Sequence, residues 1–429
     1  MDWKGKPPLV LAVLLALHLV AHIDRNMLLG FAPQITRDLA LSNAQYGFLV
    51  GAVWVLSFGV MALAMGALAD RVNRPRLIAA GVLVWSLCTW ASGHAGNFGQ
   101  MVLARCFVAS GEAALVPAAA SLLAELFSAQ RRGAANGVFF MGIPLGIGGS
   151  FLLAGSYGAT HGWRATFLLV GMVGAAMALP LVLLRDRRTA SPAVAGAAPA
   201  SVSAQLAQAA RLLARHGALR LAIGGFVLAH FAFVGLAFAP LWLAREMGMD
   251  SADMATRLGG LQLLAGAAGA LLGGLACDRL AARLPGGKAG FMALLVALCV
   301  PLMIAGRVSA AGSPLFYLGL CLGFLLPLAL YGPSLSLILE LAPPALRATM
   351  TGMTMLLINV FAIAAGNLLA GAAIDRLSSA GVARPLTALM LASDLLAGAA
   401  LLCYWRAARC PASEMGTKKW GRTLFFTEK

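Results

Sequence analysis

Long, unbroken apolar stretches decide what this chain can fold into. Leu9–Val20, Val53–Leu68 and Gly319–Leu339 are longer and more continuous than the buried stripe of a soluble helix. A helix that crosses a bilayer needs about 20 such residues. Composition agrees: 60% of the 429 residues are hydrophobic, 11% are charged, and the mean hydropathy is +0.85. Soluble domains carry about 25% charged residues, so a soluble fold has nowhere to place this much apolar surface. In lipid the backbone must satisfy its own hydrogen bonds. The stretches are rich in Leu, Ala and Gly and lack period-two alternation, which fits helices and excludes a barrel. An all-α membrane protein is expected.

Twelve transmembrane helices can be placed. The first six cover about 9–33, 44–69, 75–94, 99–127, 132–158 and 164–184. The last six cover about 218–243, 255–277, 287–306, 313–341, 346–374 and 384–407. This gives an amino-terminal six-helix bundle at 1–184, a basic, Ala/Ser/Pro-rich connector at 185–217, a carboxy-terminal six-helix bundle at 218–407 and a polar tail at 408–429. The connector is too polar to span and is expected to form a surface helix near Ser203–Arg215. The apolar run after Met1–Pro8 continues with no small-residue cleavage site before His18, so no cleaved signal peptide is expected. The seven cysteines show no metal spacing and read as small core residues.

The net charge of +16 invites a nucleic-acid reading, which its distribution removes. With both termini on one side, the opposite side holds Arg37, Arg164, Arg245, Arg257, Arg307, Arg376 and Arg384. Arg25 and Arg105 lie inside helices, and the rest of the 32 Lys and Arg residues fall on the termini side. By the positive-inside rule the termini are cytoplasmic, as for a protein of the plasma (bacterial inner) membrane. No nucleic-acid partner is expected.

The chain repeats. Gly66-Ala-Leu-Ala-Asp70-Arg71 after the second helix matches Gly274-Leu-Ala-Cys-Asp278-Arg279 after the eighth. Glu125, Arg132 and Gly137 match Glu340, Arg347 and Gly352. Two matches at nearly one offset make two six-helix pseudo-repeat bundles, an architecture that places a substrate site at the repeat interface near the midplane.

These residues resemble the major facilitator superfamily. Gly66…Asp70-Arg71…Arg74…Arg76 is similar to its loop signature between helices 2 and 3, with Asn73 where many members have Gly. Gly142-Ile-Pro-Leu-Gly146-Ile-Gly148-Gly149 is similar to the Gly/Pro-rich helix of some antiporters, with the Pro displaced, so antiport is not implied. A narrower resemblance is to the spinster-like branch. It rests on Asp24-Arg25, Ala69-Asp-Arg-Val-Asn-Arg-Pro-Arg-Leu-Ile78, Arg105…Gly111-Glu112-Ala113, Leu123-Ala-Glu-Leu-Phe127, Gly162-Trp163-Arg164, Tyr331-Gly-Pro-Ser334 and Ala342-Pro-Pro-Ala-Leu-Arg-Ala348. The resemblance covers nearly the whole chain. It implies a major facilitator fold and transport of lysophospholipid or sphingolipid-like molecules. No enzymatic activity is expected, since the sequence shows no paired catalytic acids across helices, no His/Glu metal motif and no nucleotide loop. Gly-Glu-Ala in helix 4 also occurs in organic-anion symporters of the superfamily.

Charges at bilayer depth are costly and usually face a cavity and a partner. Asp24, Arg25, Arg105 and Glu112 are of this kind. Arg105 and Glu112, seven apart, share one helix face about 10 Å apart. Asp24 can meet Arg105 or the neighbourhood of Arg25. Burial favours the neutral form of a carboxyl group and a nearby guanidinium the charged form. A carboxylate that gains and loses an Arg partner between two conformations therefore exchanges a proton, and Asp24 and Glu112 are the expected carriers. A static ion-pair cluster is the plainer alternative. His22 beside Asp24 and His230 in helix 7 are further candidates for the cavity, although a lone His is more often packed. Helices 7–11 show no clear mid-membrane charge, and Asp394 in helix 12 suits a local hydrogen-bonding role. Phe231, Phe233, Phe238, Trp242, Leu326 and Tyr331 offer an apolar wall for a substrate tail, unless they only pack or face lipid.

Asp70, Arg71, Arg74, Glu125 and Arg132, with Asp278, Arg279, Glu340 and Arg347, are expected to gate rather than bind. Asp70 can favour the positive end of a helix terminus. Gly142, Gly146 and Gly149 permit close helix approach. The expected protein is a monomeric secondary transporter that uses no cofactor or metal, draws on a proton gradient, and moves an amphiphilic anion. A carrier of small organic anions or drugs, or a non-transporting membrane sensor, are the alternatives.

Overall fold

In the computed structural model, residues 6–59, 61, 73–182, 202–343 and 346–410 are described, and short connectors join helices throughout them. In chain order these are α1 (Pro7–Gly30), α2 (Ala32–Asp38) and α3 (Asn43–Gly47), the last continuing through a wide turn at Phe48–Ala52 into helix as far as residue 59. Next come α4 (Arg74–Gly93), α5 (Phe98–Glu112), α6 (Leu115–Leu126), α7 (Ala129–Phe140), α8 (Gly142–Gly155) and α9 (Tyr157–Val182). Then follow α10 (Val202–Arg215), α11 (Gly217–Ala229), α12 (Phe231–Arg245), α13 (Ser251–Leu261) and α14 (Ala267–Leu280). Last are α15 (Gly287–Val308), α16 (Pro314–Leu341), α17 (Arg347–Leu357), α18 (Gly366–Ser379), α19 (Pro385–Gly398) and α20 (Ala400–Ala408).

Among the described residues, ten helical stretches are long and apolar enough to cross a membrane, from 20 residues at Arg74–Gly93 to 33 at Ser251–Arg283. Of the other two expected spans, 44–69 is described only in its first part. The span expected at 99–127 is broken at Ala113-Ala114 into α5 and α6. Pro117 has no N–H to bond the carbonyl of residue 113, so the helical ladder stops there. Pro33 and Pro144 likewise follow the breaks between α1 and α2 and between α7 and α8. Gly162 interrupts α9 with φ 78° and ψ 168°, a conformation reserved for glycine. His230 separates α11 from α12, and its ring Nδ1 lies 2.7 Å from the Phe226 carbonyl that the helix would otherwise use alone.

Side chains fix several starts. Asn73 accepts from the Arg76 N–H at 3.0 Å and so caps α4, which explains an Asn at that place in the loop. Asn97 caps α5 through the Gln100 N–H, and Asp250 caps α13. The connector region contributes α10, close to the surface helix expected at Ser203–Arg215.

The chain forms two compact units. One contains 1–191, 237–264 and 364–386. Its described core is built from Leu14, Leu17, Ile78, Val82, Trp85, Val108 and Leu181. The close helix approach expected of Gly146 is found here, with α1 as the partner, since a Cβ on Gly146 would lie 2.4 Å from the His22 Cβ. The other unit contains 192–236, 265–363 and 387–429. Its core includes Leu219, Phe226, Met292, Val296, Leu330, Leu337 and Tyr404.

Candidate functional site

Four elements of the first unit build its polar interior, two of them carrying charge. α1 carries Asp24 and Arg25 on consecutive residues, α4 carries Trp85 and Thr89 one turn apart, α5 carries Arg105 and Glu112, and the helix after α3 carries Trp54. Asp24, Arg105 and Glu112 are 0%, 4% and 7% exposed, respectively, so their pairing governs the chemistry.

Asp24 pairs with Arg105. Arg105 Nη1 donates to Asp24 Oδ1 at 2.7 Å, and Nη2 donates to the Asp24 carbonyl at 3.2 Å. This settles the choice the sequence left open. The Thr89 hydroxyl meets the other Asp24 oxygen and also lies 2.8 Å from the Trp85 carbonyl. A hydroxyl has one proton and can serve one acceptor at a time. With Asp24 charged, Thr89 donates to the carboxylate. With Asp24 protonated, the acid donates to Thr89 and Thr89 donates to Trp85. Asp24 is therefore hydrogen-bonded in either protonation state.

Glu112 is held differently. Trp54 Nε1 donates to Glu112 Oε2 at 2.9 Å, while Oε1 is buried with no hydrogen-bond partner among the described residues. The Arg25 guanidinium lies on the same indole, 3.4 Å from the ring centroid, and makes no ion pair among the described residues. Phe58 stacks on Trp54 with ring centroids 4.4 Å apart. One indole thus holds an acid at its edge and a cation on its face. A buried oxygen without a donor is costly, and a proton or a donor group of a substrate would relieve it. His22 stays near this cluster but bonds the His18 carbonyl at 3.0 Å.

The expected gating residues separate into two sets. Arg74 makes a two-pronged pair with Glu125, both contacts at 2.8 Å, and is 2% exposed. Asp70 and Arg71, and the side chain of Arg132, lie outside the described residues.

A family model described as the Major Facilitator Superfamily matches residues 14–366. The chain belongs to that superfamily. Its family and fold are those of transporters. It is 29% identical to an "MFS-type efflux pump" of Mycolicibacterium smegmatis over 90% of this chain and 89% of that protein. It is 27% identical to Protein spinster of Drosophila melanogaster over 64% of this chain, and 30% identical to human Protein spinster homolog 1 over 56%. The match spans 46% and 47% of those two spinster proteins. A bacterial homolog of the human lysosomal transporter Spinster, solved in an inward-facing and unoccupied conformation, superposes with a TM-score of 0.81 at 21% identity, covering 98% of this chain and 99% of that one. Within the superfamily, the spinster-like branch is the one the chain resembles.

In the second unit of this superfamily member, Glu340 forms an ion pair with Lys288 rather than with Arg347. Arg347 Nε instead donates to the Leu339 carbonyl at 2.9 Å. Lys288 stands 214 residues after Arg74, and Glu340 stands 215 after Glu125, so the two halves carry the same pair. The repeat offset already contained this signal. Asp278 and Arg279 are exposed and make no ion pair among the described residues.

The second unit also holds a buried charge pair, one member of which lies just beyond the expected ninth span. Arg307, expected at the membrane surface, is inside α15 and 2% exposed. Its Nε donates to Asp394 Oδ2 at 2.9 Å, and Asp394 is 0% exposed. Sequence reading missed it because Arg307 sits one residue from a helix end, where an Arg usually reaches water. His230 is buried beside Phe226, and Tyr331 is exposed with its hydroxyl on the Met355 sulfur at 3.3 Å. Phe238, Trp242 and Leu326 are fully buried in packing, whereas Phe231 and Phe233 are half-buried. Among the described residues no group of three His, Cys, Asp or Glu side chains is arranged to hold a metal ion.

Proposed function

We propose that this chain is a proton-coupled secondary transporter that moves an amphiphilic anion, such as a lysophospholipid or sphingolipid-like molecule, by alternating access. The observation that carries the reading is the inequality of the two buried acids. Among the described residues Asp24 has an Arg partner and the Thr89 hydroxyl, whereas Glu112 keeps one buried oxygen without a donor. Arg25 makes no ion pair among the described residues, and it offers a positive charge to an anionic head group. A proton bound at Glu112 or Asp24 changes the charge that Arg25 and Arg105 present, so proton and anion occupancy are linked. The relatives named as an efflux pump and as spinster proteins support the reading of a carrier. The membrane is the bacterial inner membrane, the termini are cytoplasmic, the working unit is a monomer, and a proton gradient is the energy source.

The reading is tested with purified protein in lipid vesicles and an imposed pH gradient. Flux of a labelled lysophospholipid that rises with the gradient and collapses with a protonophore supports it. Absence of flux for lysophospholipids and small carboxylates alike would favour a sensor. Gradient-driven flux of the carboxylates alone would favour the organic-anion reading, which Arg105 also suits.

A further inference from the structure

The chain carries the order Gly, three residues, Asp, Arg a third time. Gly371-Ala-Ala-Ile-Asp375-Arg376 repeats the pattern of Gly66…Asp70-Arg71 and Gly274…Asp278-Arg279. The first two copies fall on the termini side. The third lies near the end of α18, on the opposite side of the expected topology. We propose that Asp375 is the latch that holds the first and second halves of the sequence together on that opposite face, and that it releases when the transporter opens there.

The contacts lie within one compact unit. Asp375 Oδ1 accepts from the Asn43 backbone N–H at 3.0 Å and from Asn43 Nδ2 at 2.8 Å. Asp375 Oδ2 accepts from the Ala44 N–H at 2.9 Å. These are first-turn N–H groups of the helix that starts at α3 and runs to residue 59. Such groups have no partner within their own helix and carry the positive end of its dipole. Ser42 and Gln45 already cap this helix from within, through the Gln45 and Ser42 N–H groups. Asp375 adds an external cap from 332 residues away.

Two further features close the contact. Arg245 donates from Nη1 to Asn43 Oδ1 at 2.9 Å and from Nη2 to Thr36 Oγ1 at 3.1 Å. Glycines let the backbones touch. A Cβ on Gly371 would lie 2.1 Å from the Asn43 carbonyl oxygen, and one on Gly47 would lie 2.1 Å from the Asn367 carbonyl oxygen. The Gly of the motif therefore admits the partner helix, and its Asp binds that helix's amino terminus. Alternating access must separate such a contact whenever the opposite face opens, and hydrogen bonds to a charged group give it a strength worth switching.

The proposal rests on the alternating-access reading, but its test needs neither substrate nor proton gradient, so the two fail separately. Spin labels at Arg37→Cys and Ser378→Cys, both exposed positions on this face, report the separation by double electron–electron resonance in lipid vesicles. The unaltered latch should give mainly a short distance. Asp375→Asn should raise the ratio of long to short distances about fivefold or more, the lower end of usual conformational couplings. Arg245→Ala, at an exposed position, should shift it the same way. A shift in either variant supports the latch. Distance distributions unchanged in both would overturn it.

Discussion

Trp54 donates its indole N–H to Glu112 at 2.9 Å and presents its ring face to the Arg25 guanidinium at 3.4 Å. The two interactions can be removed separately. Trp54→Phe keeps a ring face under Arg25 and loses the donor to Glu112, whereas Trp54→Ala loses both. A cation on an aromatic face is worth about 0.5–2 kcal/mol. Affinity for an anionic amphiphile, read by a thermal-shift titration, should therefore be largely kept in Trp54→Phe and fall about 2- to 30-fold in Trp54→Ala. Equal losses in both variants would contradict a role for Arg25 in anion binding.

Asp24 and Arg105 form a buried pair, and removing one partner leaves an uncompensated charge. Arg105→Met should destabilise the protein by about 3–5 kcal/mol. Adding Asp24→Asn to it should restore part of that loss, because no charge is then stranded. Unfolding of the detergent-solubilised protein reads both. A double variant less stable than Arg105→Met would contradict the pairing.

The Thr89 hydroxyl lies between Asp24 and the Trp85 carbonyl. Thr89→Val keeps the shape and removes the hydroxyl. Stability should fall by about 1–3 kcal/mol from the lost hydrogen bond. Proton-driven flux should fall several-fold more than gradient-independent exchange of substrate. Parallel losses in the two modes would show that Thr89 only packs.

The Arg307–Asp394 pair in the second unit is buried as deeply as the first-unit pair. It joins α15 to α19. Asp394→Ala should cost about 3–5 kcal/mol of stability while leaving the pH dependence of flux unchanged in protein that still folds. A changed pH profile would place a second proton site there.

The spans, the repeat and the four charges of the first half were legible because apolar length and in-membrane charge are local signals. Asp24, Arg25, Arg105 and Glu112 stood out as charges within apolar runs, yet which acid met which Arg depended on helix rotation, which sequence does not carry. Trp54 escaped notice because an indole in an apolar helix looks like any other packed aromatic. Arg307 escaped because it lies at a helix end. Pro117 was visible, but its break at Ala113-Ala114 lay inside a span otherwise apolar enough to read as one helix. Lys288 was readable from the repeat, since it aligns with Arg74. The partners of Asp375 were not, because its capped helix begins more than 300 residues earlier.

Proton coupling through Glu112 is most directly tested by following vesicle lumen pH with a trapped dye as substrate is added, with Glu112→Gln beside the unaltered protein. Gln keeps an oxygen for Trp54 and cannot exchange a proton at neutral pH. The unaltered protein should move protons with substrate, and Glu112→Gln should still exchange labelled substrate while substrate-driven proton movement falls about tenfold or more, the factor set by roughly 1.4 kcal/mol of lost coupling. A Glu112→Gln protein whose transport keeps its full dependence on the pH gradient would contradict the account.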